Sequence, residues 1–215
     1  MSAPLDRAYN PAVPSQTRRT FANTPIRLLL LEDSDADAEL ITHAIAEIGA
    51  RIQVQRVSTK AAFVSALTES QPDVVLSDHG VGNFNSIAAL EAVRDASPGT
   101  PFLVVSGAVD ERAAVACLRA GADDIILKSN LGRLAPAITE ALSVRKRLRA
   151  LSPRQVQVLQ LVAQGFTTPE IARKLRVGIK TVETHRAELM RRLDRHTVAA
   201  LVRFALRTGV IPISD

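Results

Sequence analysis

The pattern that most constrains the fold is an alternation of short apolar runs with longer amphipathic segments between residues 26 and 145. The runs read IRLLLLE, IQVQRV, DVVLSD, PFLVVS and DDIILK. Four of the five are almost continuously apolar, which is typical of strands buried on both faces of a parallel sheet. The segments between them repeat apolar residues every three or four positions, as amphipathic helices do; the first has Leu40, Ile41, Ala44, Ile45 and Ile48. This alternation predicts an α/β fold: a doubly wound, five-stranded parallel sheet with helices on both faces.

Acidic and basic residues are distributed unevenly along the chain. Residues 26–145 carry ten basic and sixteen acidic residues, net −6, whereas residues 146–215 carry fourteen basic and five acidic ones, net +9. An acidic domain followed by a strongly basic one indicates that only the C-terminal part meets a polyanion. We therefore predict four parts, which are a disordered tail over 1–25, an α/β domain over 26–145, a linker or helix extension over 146–151, and an all-α domain over 152–215.

Three features concern the cellular setting. No apolar run approaches the ~20 residues that a membrane helix needs, and the proline-containing tail lacks the apolar core of a signal peptide. The single cysteine, Cys117, excludes an intramolecular disulfide. Together these features predict a protein of the reducing cytoplasm without a membrane partner.

Polar side chains follow the apolar runs where the strands are expected to end. They are Glu32 and Asp33 after the first run, Asp78 in the third, Ser106 in the fourth and Lys128 in the fifth. Each alone has an ordinary explanation, because aspartate and serine commonly cap helices and form turns. Ligands of an open parallel sheet bind beyond the carboxyl ends of its strands, so all five groups are expected in one crevice.

This set of side chains suits phosphoryl transfer. Carboxylate oxygens are preferred ligands of Mg²⁺, and a carboxylate is also a nucleophile that can form an acyl phosphate. A lysine ammonium and a serine hydroxyl would help to neutralise and orient the phosphoryl oxygens. We therefore predict Mg²⁺ as a cofactor and Asp78 as the reacting carboxylate.

Residues 26–145 resemble the receiver domain of two-component response regulators at all five of these positions. The resemblance implies a flavodoxin-like sheet in the order 2-1-3-4-5 and phosphorylation of Asp78 by a sensor histidine kinase. It also implies that the backbone carbonyl of Gly80 is a metal ligand beside Glu32, Asp33 and Asp78. The chain departs from the family in the loop HGVGNFNS, and in Ile125, where an aromatic switch residue is usual.

Residues 152–215 are punctuated as four helices. Ser152 with Gln155 and Thr167 with Glu170 have the spacing of capping boxes, and the last helix is expected to start near Thr197 and stop at Gly209. A short turn at residues 176–178 leads from PEIARKL into IKTVETHRAELMRRL. Two helices joined by such a turn, the second rich in polar residues, predict a helix-turn-helix.

The outer face of that second helix is the expected nucleic-acid surface. Val182, Leu189 and Leu193 should face the core, while polar residues point outward. The chain has seven aromatic residues and no tryptophan, which argues against single-strand binding by base stacking and favours duplex DNA.

The segment LSPRQVQVLQLVAQGFTTPEIARKLRVGIKTVETHRAELMRRL resembles the LuxR/NarL/FixJ-type DNA-binding domain. The resemblance implies that Glu183, Thr184 and Ala187 face base edges, whereas phosphates are held by Lys180, Thr181 and Arg186. Arg191 lies on the same outer face.

These observations predict a response regulator that accepts a phosphoryl group and regulates transcription, and not a free-standing enzyme. Its expected partners are duplex DNA, a cognate kinase, a second copy of the chain after phosphorylation, and RNA polymerase. The last helix offers outward-facing candidates for pairing with the second copy: Val198, Leu201, Val202 and Leu206, some of which must belong to the domain's own core.

Two other readings of the sequence stay open. One is a LuxR-type transcription factor whose receiver works without phosphorylation. The other is a small Mg²⁺-dependent phosphatase, but Gly80 stands where such an enzyme would carry a second carboxylate.

Overall fold

A computed structural model describes residues 25–107, 111–208 and 210 of the chain. Apart from Pro25, the tail predicted over residues 1–25 lies outside the described residues. The predicted helix stop at Gly209 lies outside them as well. Among the described residues, no helix is both long and apolar enough to cross a membrane.

The first domain is built on a five-stranded parallel sheet with its connecting helices on both faces, which confirms the predicted doubly wound fold. The strands of this part are β1 (Ile26–Leu31), β2 (Ile52–Val57), β3 (Val74–Asp78), β4 (Gly80–Val81), β5 (Phe84–Asn85), β6 (Phe102–Ser106) and β7 (Asp124–Leu127). The helices are α1 (Asp35–Ala46), α2 (Lys60–Ser70), α3 (Ser86–Ala96), α4 (Glu111–Arg119) and α5 (Leu134–Arg149), the last preceded by a 3-10 segment, Lys128–Arg133. The order of the strands in the main sheet is β2-β1-β3-β6-β7.

The three central strands of the sheet, β1, β3 and β6, are buried on both faces, because successive side chains of a strand point in opposite directions and helices cover both sides. In β1, Leu28 and Leu30 pack against α1 and α5, whereas Leu29 and Leu31 pack on the other side, against α2 and α3. All four side chains are at most 1% exposed. The continuous apolar runs of the sequence are thus explained by two separate cores that share each strand.

The predicted apolar face of α1 was wrong for one residue, Leu40. Ile41 and Ile45 are buried, but Leu40 is 57% exposed. Leu40 precedes Ile41 directly and is therefore rotated by about 100° around the helix axis, away from the face that packs on the sheet.

The loop HGVGNFNS contains a small antiparallel hairpin, in which β4 pairs with β5. Gly82 turns the chain with a φ of +58°, a conformation that glycine adopts without strain. Val81 and Phe84 are buried, and the Phe84 ring contacts that of Phe63 edge-on at 5.7 Å between centroids. These two apolar side chains anchor the loop that follows Asp78 to the core.

The second domain consists of α6 (Pro153–Ala163), α7 (Thr168–Leu175), α8 (Ile179–Leu193) and α9 (Val198–Arg207). Both predicted capping boxes are present, at the starts of α6 and α7. Val182, Leu189 and Leu193 are fully buried, as predicted.

Two of the four pairing candidates predicted on α9 belong to the domain's own core, as was expected of some of them. Leu201 is completely buried, and Val202 packs against the domain core. Val198 is exposed, at 40%, and the side chain of Leu206 lies outside the described part of the chain. The small domain needs these apolar side chains for its own core, because α9 packs along α6.

Helix α5 belongs to both domains. Its residues Val144 and Leu148 pack into the core of the second domain. The Arg192 side chain of α8 also donates a hydrogen bond to the carbonyl oxygen of Ala150 at 2.9 Å. Residues 146–149, predicted as a linker or helix extension, form the last turn of α5, so a fragment that begins at residue 150 lacks part of its core.

Candidate functional site

The carboxyl edge of the sheet brings the predicted residues together. Glu32 follows β1, Asp78 and Ser106 are the last residues of β3 and β6, and Lys128 directly follows β7. In the sheet register, Asp78 lies beside Val105, which places Ser106 one residue beyond it on the neighbouring strand. Ser106 is only 3% exposed.

Lys128 is the centre of this cluster. Its Nζ atom lies 2.8 Å from Glu32 Oε2, 2.6 Å from Asp37 Oδ2 and 3.1 Å from Asp78 Oδ1. Burial alone would lower the pKa of Lys128, but the hydrogen bonds with Asp37, Glu32 and Asp78 outweigh it and raise the pKa above its ordinary value. Lys128 is therefore an ammonium at neutral pH and gives the site a fixed positive charge.

Glu32 is a buried anion with both oxygens in use. Its side chain is 1% exposed. Oε1 accepts a hydrogen bond from the backbone N–H of Ser34 at 3.0 Å, and Oε2 accepts one from Lys128. These contacts satisfy the carboxylate in a position where an unpaired charge would be costly.

Sequence reasoning missed Asp37, the third carboxylate around Lys128. It lies in the first turn of α1, whose N-cap is Ser34. A signal was available, because Asp37 lies in the first turn of a helix that begins just after Asp33, at the carboxyl edge of the predicted sheet. The position of Asp37 alone does not indicate a functional carboxylate, because acidic residues are common in the first turn of a helix, where they stabilise it by interacting with the helix dipole.

Arg56, near the end of the edge strand β2, was also missed. Its side chain donates hydrogen bonds to the backbone carbonyl oxygens of Glu32 and Asp33, both at 2.9 Å, and pairs with Asp35 at 2.5 Å. Three contacts from one guanidinium hold the loop after β1. No pattern in the strand IQVQRV distinguishes this arginine from an ordinary exposed one.

The carboxylates are suitable in chemistry for Mg²⁺, but they do not form a closed cage. The side chain of Asp33 is exposed, and Asp78 Oδ2 accepts a long hydrogen bond of 3.4 Å from the backbone N–H of Gly80. Both therefore offer oxygens, the ligand type that Mg²⁺ prefers along with retained water. Within the described ranges, no three acidic, histidine or cysteine side chains are grouped as a ready-made metal site.

A chain of polar contacts leads from the loop after Asp78 toward α4. Ser86 Oγ lies 3.1 Å from His79 Nδ1 and 3.3 Å from Cys117 Sγ. Ser86 and Cys117 are each 1% exposed. Ile125, at the position where the receiver family usually has an aromatic residue, is half-buried and packs against the core on this side of the sheet.

Helix α8 is the second helix of the predicted helix-turn-helix. Most of its predicted DNA-contact residues are exposed to solvent. Exposed positions are Lys180, Thr181, Glu183, Thr184, Ala187 and Arg191. Arg186 is different, because it is half-buried and donates a hydrogen bond to Thr168 Oγ1 on α7. Arg186 thus braces the two helices of the motif against each other.

Arg191 also forms an ion pair within α8. Its guanidinium pairs with Glu188 at 2.7 Å, and Glu188 also pairs with Arg192 at 2.6 Å. Hydrogen bonds from Arg191 and Arg192 hold the pKa of Glu188 at about 2, so this carboxylate is ionised at neutral pH. A DNA phosphate would compete with Glu188 for Arg191.

Two family models match the chain and together cover both domains. The response regulator receiver domain matches residues 28–139, which is more than half of the 215-residue chain. The model of bacterial regulatory proteins of the luxR family matches residues 149–205.

Two relatives match the chain along most of their own length. The chain is 29% identical over 166 residues to the transcriptional regulatory protein FixJ of Rhizobium meliloti, covering 70% of this chain and 81% of that protein. It is 28% identical over 187 residues to the oxygen regulatory protein NreC of Staphylococcus carnosus, covering 72% and 86%.

A solved structure supports the fold of the first domain. A signal receiver domain from Vibrio parahaemolyticus superposes with a TM-score of 0.54 at 20% identity, covering 60% of this chain and all of that one. The sheet order, the edge cluster and the two family matches lead to one conclusion. The chain belongs to the NarL/FixJ-type response regulators, transcription regulators in which a receiver domain precedes a LuxR-type helix-turn-helix domain.

Proposed function

We propose that Asp78 accepts a phosphoryl group from a sensor histidine kinase and that this modification controls DNA binding by the second domain. The observation that carries the proposal is the position of Asp78, which ends β3 with its Oδ1 atom 3.1 Å from the Lys128 ammonium. A carboxylate oxygen of Asp78 attacks the phosphorus atom, an O–P bond forms, and the P–N bond to the kinase histidine breaks. The histidine nitrogen that leaves takes up a proton.

The surrounding residues have separate tasks in this step. Lys128 supplies a positive charge to the phosphoryl oxygens, and Ser106 is placed to donate a hydrogen bond to one of them. Asp33, Asp78 and the carbonyl oxygen of Gly80, with Glu32 beside them, would hold Mg²⁺. When bound, the metal would neutralise negative charge between phosphoryl donor and carboxylates.

Phosphorylation is proposed to act on DNA binding through dimerisation. One recognition helix reads only a few base pairs, so specific binding needs two such domains on a repeated or palindromic site. A receiver dimer raises the effective concentration of the second domain at the second half-site. Residues of α5 pack in the cores of both domains, so a conformational change in the receiver is transmitted to the second domain through this helix.

The experiment that tests the proposal is direct labelling. Incubation of the purified chain with Mg²⁺ and a small phosphodonor should add one acid-labile phosphoryl group, found by mass spectrometry on the peptide containing Asp78. Chelation of the metal should stop labelling, because the acidic cluster would then repel the donor. Sedimentation of the labelled sample reports the dimer. Absence of labelling with every donor tested would favour a receiver that works without phosphorylation.

Two substitutions in α8 should have different effects on DNA binding. Lys180→Ala is expected to weaken binding to all duplexes alike and to reduce the salt dependence by about one released counterion. Thr184→Ala is expected to change the preference among sites, by about 1 kcal/mol at the affected base pair. Competition binding against a panel of duplexes measures both effects.

The matched control is Lys60→Ala, which removes the same charge from an exposed position of α2 and should leave DNA binding unchanged. If Thr184→Ala lowered the affinity equally for every duplex, the assignment of Thr184 to the base edges would be wrong.

A further inference from the structure

The cluster around Lys128 contains one carboxylate that phosphoryl transfer does not need. Asp37 Oδ2 lies 2.6 Å from Lys128 Nζ, which is the shortest of the ammonium contacts to Glu32, Asp37 and Asp78. A lysine ammonium has three N–H donors and no acceptor. Glu32 and Asp37 accept hydrogen bonds from it and Asp78 lies at ion-pair distance, so three carboxylates compete for its donors before any phosphoryl group arrives.

The donor that faces Asp78 becomes available to a phosphoryl group on that residue, but a second hydrogen bond from Lys128 to the phosphoryl oxygens requires that Glu32 or Asp37 give one up. Glu32 is 1% exposed, and releasing it would leave a buried charge without its cation, which is strongly unfavourable. Asp37 is 34% exposed, so water can replace the lost contact. Asp37 is thus the partner that exchanges most easily.

We propose that Asp37 competes with the phosphoryl group on Asp78 for the Lys128 ammonium and is a positioning residue that lowers the affinity of the site for that group. The inference rests on the proposed function of Asp78. Asp37 acts in two ways, because it retains a donor that the phosphoryl oxygens need and because its own negative charge repels them. The unmodified state is thereby favoured until the phosphoryl group displaces Asp37.

Binding of beryllofluoride, a stable mimic of the phosphoryl group, tests the inference on the full chain at saturating Mg²⁺. Calorimetric titration should show that Asp37→Asn binds the mimic about tenfold more tightly than the wild type, a difference of about 1.4 kcal/mol. Asp37→Glu retains the charge and should stay near the wild-type affinity.

The matched control is Asp35→Asn, which makes the same charge change two residues away in α1. Asp35 pairs with Arg56 and has a side chain that is 90% exposed, so its charge is screened and the affinity should change by less than about twofold.

Several outcomes would overturn the inference. Equal tightening by Asp35→Asn and Asp37→Asn would mean a general effect of net charge, and weaker binding by Asp37→Asn would mean that Asp37 holds Lys128 where the mimic needs it. Lower resistance to urea in Asp37→Asn without tighter binding would leave Asp37 only a structural role. If the wild type did not bind the mimic at all, the proposed function itself would fail, and the inference with it.

Discussion

Replacement of Asp78 by asparagine is expected to abolish uptake of the acid-labile phosphoryl group. Asparagine has no carboxylate oxygen with which to form an acyl phosphate. Its amide has nearly the same shape, and the carbonyl oxygen can still accept a hydrogen bond from Lys128, which lies 3.1 Å from Asp78 Oδ1. The variant should therefore remain folded, so that loss of labelling reports lost chemistry.

Intact mass after incubation with Mg²⁺ and a small phosphodonor measures this result, and circular dichroism checks the fold. The matched control is Asp95→Asn, an exposed aspartate of α3, which should be labelled like the wild type. Undiminished labelling of Asp78→Asn would place the phosphoryl group on another residue and would remove the basis of the proposed function.

Replacement of Lys128 by methionine is expected to lower the free energy of unfolding by about 3 kcal/mol. The reason is Glu32, whose buried carboxylate would lose the ammonium 2.8 Å away and retain only the N–H of Ser34. Single domains of this kind have a stability of about 5–15 kcal/mol, so the loss would be a large fraction of the total. Urea denaturation followed by circular dichroism measures it.

Two further variants separate this cause from a general effect of charge. Lys60→Met removes an exposed lysine on α2 whose ammonium lies 5.6 Å from the Phe84 ring centroid, and should lower stability by no more than about 1 kcal/mol. The double variant Glu32→Gln with Lys128→Met should lose less than Lys128→Met alone, because it no longer buries an uncompensated charge. If Lys128→Met behaved like Lys60→Met, Lys128 would not be the charge that Glu32 requires.

Much of the fold could be predicted from local patterns. The continuous apolar runs indicated strands buried on both faces, and each of the five forms a strand of the main sheet. The helix starts of the second domain were predictable because capping boxes act within four residues of the chain. Periodicity does not specify the sheet order 2-1-3-4-5, which was expected from the resemblance to receivers.

Predictions were incomplete where packing between elements decides the outcome. Helical spacing alone did not say which of the four pairing candidates on α9 belong to the domain core, and Leu201 is completely buried there. Charge also did not show that Val144, inside the predicted receiver segment, packs into the core of the second domain, although the predicted helix extension beyond residue 145 is present as the last turn of α5.

The sequence by itself determined which chemistry is available, since apolar runs ending in polar residues predict carboxylates, a hydroxyl and an ammonium at one edge of a parallel sheet. Only the tertiary structure decided which of these charged side chains pair with each other. Asp37 and Lys128 are 91 positions apart in the chain, yet they lie 2.6 Å apart. The physical reason is that the packing of α1 beside the ends of β1 and β7 brings Asp37 to the ammonium as a third carboxylate partner, and such packing leaves no local pattern in the sequence.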